Sequence, residues 1–238
     1  MNSLQKLQEF LTNPLNKIGK VVDFNPATDT LLPFDFTAAN TELTPTILND
    51  TDSFSNWVED KLNQNKAKYG IGGYNEHRTI YSRSEHFDAN EEPRRLHLGI
   101  DIWGAAGTPV YNFYEAKVHS FKFNDNFGDY GATIILHYQL EDVEVFGLYG
   151  HLDLASLDGL AEGKVIPAGK QFCCFGVREE NGNWPPHLHF QLIFDMEGLK
   201  GDYPGVCQFS KRESFLQNCA DPALVLAANF GPTLNKNT

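Results

Sequence analysis

Trp184-Pro185-Pro186-His187-Leu188-His189-Phe190 is the stretch of this sequence whose residue types most clearly suit chemistry. Two prolines hold the backbone extended ahead of the first histidine. Leu188, Phe190, Leu192, Ile193 and Phe194 then read as a buried β-strand. Side chains two apart on a strand share a face, so His187 and His189 point one way while Leu188 and Phe190 point the other. Their Cα atoms would stand roughly 7 Å apart, within reach of one common point. Paired imidazoles against an apolar wall suit a metal or a proton-transfer site. The same pair would also suit two partly buried histidines held by ordinary hydrogen bonds.

Two further pieces carry similar side chains. In Arg94-Arg95-Leu96-His97-Leu98-Gly99-Ile100-Asp101, the glycine between branched apolar residues favours a strand or bend over a helix. A kink at Gly99 would bring the His97 imidazole and the Asp101 carboxylate to one ion, or leave them as a buried hydrogen-bonded pair. In Tyr149-Gly150-His151-Leu152, the histidine closes the strand that begins at Val143. The remaining histidines (His77, His86, His119 and His137) lie in no comparable setting. Taken together, two histidines and one aspartate make a three-ligand zinc site whose fourth position stays open for water, as catalytic zinc requires. Two imidazoles are left over for proton transfer or oxyanion stabilisation, and a purely structural site would have no use for them.

The elements that must position these groups are mostly short strands. They are expected at about 79–83, 108–114, 116–123, 132–139, 143–150, 171–176 and 187–194, separated by turn residues. This is the pattern of a mainly β sandwich or barrel. The first seventy residues read differently. A short amphipathic helix near 3–12 leads into a proline-rich, turn-rich segment, and Phe54 to Lys68 reads as a second helix with Trp57 and Leu62 on its apolar stripe. Gly70, Gly72 and Gly73 precede nothing helical, which rules out a phosphate-binding loop. The expected organisation is an N-terminal helical and irregular region over 1–70, a β domain over 71–228 with a short helix after Asp221-Pro222, and a tail over 229–238.

A formal net charge of −12 disfavours nucleic acid, anionic membrane and tight adhesion to an anionic cell wall. No apolar run approaches the length of a membrane helix, and Met1 to Lys20 lacks an apolar signal core. A cytoplasmic location is therefore expected; removal of a leader would make it periplasmic or secreted. Cys173 and Cys174 are adjacent, so a bridge between them would be strained. Cys207 and Cys219 are expected as buried free thiols, with pairing open to them in an oxidising compartment.

His97-x-x-x-Asp101, Gly107-Thr108-Pro109-Val110, Tyr149-Gly150-His151-Leu152 and His187-Leu188-His189-Phe190, in this order and spacing, resemble the lysostaphin/LytM-type zinc metallopeptidases. These are peptidoglycan endopeptidases built on a twisted antiparallel β-sheet. The resemblance covers about residues 94–195. It implies Zn²⁺ held by His97, Asp101 and His189, with His151 and His187 as catalytic histidines, and with Tyr149 and Trp184 as substrate contacts. It also implies a peptide or muropeptide-like substrate. Glu179 to Pro186 replaces the family's small-residue loop beside the groove, so a glycyl-glycine preference does not carry over. Gly128-Asp129-Tyr130-Gly131, Asn181-Gly182-Asn183-Trp184 and Asp221-Pro222 are also similar to the metallopeptidase-like module of some multidomain proteins with kinase-like and class III aminotransferase domains. The expected function is thus a zinc-dependent endopeptidase acting on peptidoglycan-type or soluble peptides. A non-catalytic zinc-binding regulatory module and a small-molecule metallo-amidase are the two alternatives on the same residues.

Overall fold

The computed structural model describes residues 1–88, 92–231 and 234. In chain order its elements are α1 (Ser3–Thr12), β1 (Leu31–Phe34), α2 (Pro45–Asn49), α3 (Thr51–Gln64), β2 (Tyr69–Gly72), β3 (Arg94–His97), β4 (Ile100–Trp103) and β5 (Pro109–Tyr111). Then come β6 (Ala116–Asn124), β7 (Gly131–Leu140), β8 (Val143–Leu152), β9 (Val165–Ile166), β10 (Gln171–Cys174) and β11 (His187–Ile193). The chain ends with β12 (Val206–Gln208), α4 (Arg212–Asn218), β13 (Cys219–Ala220) and α5 (Ala223–Phe230). The fold is mainly β. Among the described residues one mixed sheet runs in the order β1-β2-β4-β11-β8-β7-β6-β9, with β13 added to β11. β1 and β2 are parallel, and the other pairings in this sheet are antiparallel.

The sheet is buried on both faces. Ile100, Ile102, Ile134, Leu136, Tyr149, Leu188, Phe190 and Leu192 belong to the core on one side. On the other side lies an aromatic cluster that includes Phe34, Phe36, Phe54, Tyr81, Phe87, Trp103 and Trp184. Beside it sits a smaller cluster with Leu98, Tyr130, Ile135, Leu148 and Ile193. All seven residues of β11 are buried. A polar side chain on such a strand must be partnered or bind an ion, because an unpaired buried polar group costs roughly 1–3 kcal/mol.

The N-terminal pieces complete this arrangement. Asn2 and Gln5 form a capping box that starts α1, and Leu7 and Phe10 face inward. Asp50 caps α3 by accepting from the Ser53 amide, so that helix begins earlier than its apolar stripe suggested. It ends at Gln64, and Lys66 adopts a left-handed φ of 51° that turns the chain into β2. This strand carries little sequence signal because two of its four residues are glycine. β1 and β2 extend the sheet beyond β4. The strand expected at 79–83 is instead a 3-10 turn, Ile80–Arg83. Ser82 Oγ donates to the Thr79 carbonyl, and the Ser84 hydroxyl accepts from the His86 amide to start the next turn. Such local side-chain bonds compete with a strand ladder despite the β-forming Ile80 and Tyr81. The tail expected over 229–238 lies largely outside the described residues. Among the described residues no helix is long and apolar enough to cross a membrane. Cys173, Cys174, Cys207 and Cys219 are free thiols.

Candidate metal centre

β4 and β11 pair antiparallel with His189 opposite Asp101 and His187 opposite Trp103. Alternation then puts Asp101, His187 and His189 on one face and Ile100, Ile102, Leu188 and Phe190 on the other. His97 ends β3, and the chain breaks at Leu98-Gly99 before β4 begins. The break depends on a missing side chain: a Cβ at Gly99 would lie 2.6 Å from His189 Cε1 and 2.8 Å from the Phe190 carbonyl oxygen. The bend returns His97 over Asp101, four residues later.

Three atoms converge there. His97 Nε2 lies 3.0 Å from His189 Nδ1 and 3.2 Å from Asp101 Oδ1. His189 Nδ1 lies 3.1 Å from the same Oδ1. The other ring nitrogens fix which proton sits where. His97 Nδ1 is 2.9 Å from the Gly73 carbonyl, which can only accept, so Nδ1 carries the proton and Nε2 a lone pair. His189 Nε2 is 2.9 Å from Gln191 Oε1. The Gln191 amide nitrogen donates to the Pro204 carbonyl, so Oε1 accepts and His189 Nδ1 is the bare nitrogen. The three facing atoms are therefore all acceptors, buried, and without a hydrogen to share. That donor set fits a cation. With bonds of 2.0–2.1 Å, tetrahedral zinc would want such ligand atoms about 3.3 Å apart, close to the observed spacing. The outer partners on the two histidines follow the usual pattern around zinc-binding imidazoles. Burial alone would raise the Asp101 carboxyl, but it lies well below the usual carboxylate range, with the Arg78 guanidinium beside it favouring the charged form.

His187 and His151 sit next to this trio. His187 stacks on Trp103 with ring centroids 3.9 Å apart, and its Nδ1 donates to the Pro185 carbonyl at 2.8 Å. His151 lies 4.1 Å from His187, centroid to centroid, and its Nδ1 donates to the Asn181 carbonyl at 2.7 Å. Among the described residues neither Nε2 has a hydrogen-bond partner, so each presents a lone pair. Tyr149 departs from the expectation of a substrate contact. Simple alternation would put Tyr149 and His151 on one face, but the β7–β8 register slips between Ala132 and Ile134 and His151 takes a left-handed φ of 62°. This bulge re-aims His151 toward the metal face. The Tyr149 hydroxyl meets that of Tyr138 at 2.6 Å on the core side. Trp184 does reach the site and lines its wall.

A cavity of about 250 Å³ opens over these groups, lined by Asp101, Trp103, His151, Trp184, His187 and His189. Its other walls come from places the sequence did not flag: Tyr81, His86 and Phe87 from the turns after Thr79, Arg94, and Asp202. Of these, Tyr81 falls in the segment expected as a strand and Phe87 just beyond it, and neither carried a side chain that suggested a site. Burial raises the Asp202 carboxyl, with Asp129 adding to it. Burial also lowers His97 and His187 to about 4 and His151 well below its ordinary value, so these imidazoles are neutral near pH 7. The linkage is direct. An unfolded histidine takes up a proton below about 6.5, while the folded ones resist until about 4. Stability of the metal-free chain should therefore be complete above pH 6.5 and fall as pH drops from there toward 4. A thermal midpoint lower at pH 4.5 than at pH 7.5 by on the order of several degrees is expected; an unchanged midpoint would contradict the neutral, buried imidazoles.

Residues 95–200 match the family model of peptidase family M23. This segment is similar to the M23 peptidases. The matched segment contains His97, Asp101, His151, His187 and His189, and leaves out Arg78, Tyr81 and Phe87. No curated protein matches the chain. Among solved structures, a zinc-containing peptidase from Vibrio cholerae is similar at 25% identity and a TM-score of 0.33, over 41% of this chain. The chain spans only 27% of that protein's length. The catalytic domain of lysostaphin from Staphylococcus simulans is similar at 18% identity and a TM-score of 0.39, covering 68% of this chain and 96% of that one. The catalytic domain of a prophage-encoded M23 protein from Enterococcus faecalis, in mutant form, gives 21% identity and a TM-score of 0.35, covering 46% and 79%.

Proposed function

We propose that the chain is a zinc-dependent peptidase that hydrolyses a peptide or amide bond in the cavity over His97, Asp101 and His189. The observation that carries this reading is the convergence of three buried lone pairs beside two neutral, unpartnered imidazole nitrogens. His97 Nε2, Asp101 Oδ1 and His189 Nδ1 would hold the metal. The chemistry zinc supplies when bound in such a site is Lewis acidity toward a carbonyl oxygen and toward water. His151 and His187 supply the proton handling. Each Nε2 is free to take a proton from an attacking water and, once protonated, to donate to a developing oxyanion or a leaving nitrogen. The carbonyls of Asn181 and Pro185 hold the rings by Nδ1–H, so Nε2 stays turned to the cavity. Trp103 and Trp184 wall off bulk water, which strengthens every charge interaction inside.

The cavity also bears on substrate size. At about 250 Å³ it stands near the lower end of the range for small-ligand sites. Tyr81, Phe87 and Trp184, which pack against one another, line its wall. An intact cross-linked wall polymer does not thread such a space easily, and a net charge of −12 repels anionic wall polymers. Short soluble peptides or muropeptide-like amides fit better. Zinc-loaded protein incubated with whole sacculi should release little, whereas a panel of short peptide stems should yield new amines by mass spectrometry. Rapid solubilisation of sacculi would refute the size argument. Failure on every amide, with zinc bound, would favour the non-catalytic alternative.

A further inference from the structure

Arg78 is fully buried and comes from outside the segment matched to the M23 peptidases. Its Nη1 donates to Asp101 Oδ2 and, at 3.2 Å, to the Tyr81 hydroxyl. Its Nε donates to Glu76 Oε2 at 2.6 Å, and Nη2 reaches the Gly73 carbonyl at 3.3 Å. That same carbonyl accepts from His97 Nδ1. The loop that carries these groups is fastened to β3: the Arg78 amide donates to the Arg95 carbonyl at 2.8 Å, and the His97 amide to the Glu76 carbonyl at 2.9 Å. Space for the guanidinium is also provided, since a Cβ at Gly72 would lie 2.6 Å from Nη2.

The geometry points to Arg78 as the positioning residue that confines Asp101 to one ligand oxygen. The inference rests on the reading that His97, Asp101 and His189 hold a metal. With Nη1 on Oδ2, only Oδ1 remains, and Oδ1 is the atom that lies 3.2 Å from His97 Nε2 and 3.1 Å from His189 Nδ1. A planar fork is required, because it serves Asp101, Glu76 and Gly73 in different directions from one fixed group, and a lysine ammonium has neither the plane nor the reach. Loop 73–78 thereby orients two of the three ligands, Asp101 through Arg78 and His97 through Gly73. The charges fit as well. Arg78 lies between two carboxylates, so the trio carries a net negative charge that favours an incoming divalent cation. A merely structural Arg78 would tie the loop to the sheet and leave ligation untouched.

The test uses the full chain and two readouts: zinc affinity by competition with a chromophoric chelator, and the visible absorption of the cobalt-loaded protein. Arg78→Lys and Arg78→Met should each weaken zinc binding roughly 10–100-fold. Their cobalt bands should lose intensity, as Oδ2 is freed to bind and the coordination number rises. Gly72→Ala, which crowds the fork without removing it, should shift both readouts the same way by a smaller amount, and it decides the matter if neither Arg78 variant folds. Wild-type affinity and an unchanged cobalt spectrum in these variants, even with a lower melting temperature, would reduce Arg78 to a structural tie and overturn the inference alone. If the wild-type chain bound neither metal, the zinc reading would fail and this inference with it.

Discussion

Alanine at His189 should leave the chain without zinc. The wild-type protein, dialysed against a mild chelator, is expected to retain about one zinc per chain, and His189→Ala none. The size of the effect follows from the ligand count. Zinc sites in small domains bind with roughly 10–16 kcal/mol in total, so each ligand is worth several kcal/mol. Loss of one from a three-ligand set should weaken binding on the order of 10³-fold. What remains, His97 Nε2 and Asp101 Oδ1 at 3.2 Å, is a two-point contact that water and buffer outcompete. The His189 Nδ1 meets both other ligand atoms, and its Nε2 is fixed by Gln191. Metal analysis and circular dichroism on the same sample separate ligand loss from misfolding. A folded His189→Ala protein that kept stoichiometric zinc would remove this residue from the site.

Much of this centre was legible because strand alternation is a strict rule. Two prolines and an alternating His-Leu-His-Phe run fix which face of β11 carries the imidazoles, and Gly99 marks the bend that returns His97 over Asp101. Other parts follow from tertiary pairing that no local pattern encodes. The bulge that turns His151 toward the cavity and leaves Tyr149 on the core side arises from the β7–β8 register and cannot be read from Tyr149-Gly150-His151. β2 was hidden by Gly70 and Gly72, residues that weaken a strand signal yet are needed here for clearance: a Cβ at Gly70 would stand 2.4 Å from the Phe34 ring. Arg78 gave no signal at all. Its partners are 2 and 23 residues away in sequence, and an arginine in a polar turn ordinarily reads as a solvated charge. The outer half of the site thus lies in the long-range packing of the N-terminal region against β3 and β4.

His151→Ala and His187→Ala should show the opposite signature to His189→Ala: zinc retained, and turnover of whichever amide the wild type cleaves reduced roughly 10²-fold or more. The argument is geometric. Neither residue belongs to the convergent trio His97, Asp101 and His189, and each is held by Nδ1 to a backbone carbonyl with Nε2 left free. Their neutral state, enforced chiefly by burial, makes each a proton acceptor near pH 7 and a donor only after it has taken a proton. That is the sequence of events in amide hydrolysis: a proton leaves the water, then reaches the nitrogen. With rings 4.1 Å apart, the two cannot both be charged at low cost, so one proton should pass between water, imidazole and leaving group rather than two being held at once. The double variant should accordingly lose far less than the product of the two single losses, as for groups that act as one unit. Metal content and turnover measured on all three variants decide it. Zinc loss in either single variant would move that histidine into the ligand set, and strictly multiplicative losses would show that the two imidazoles work independently.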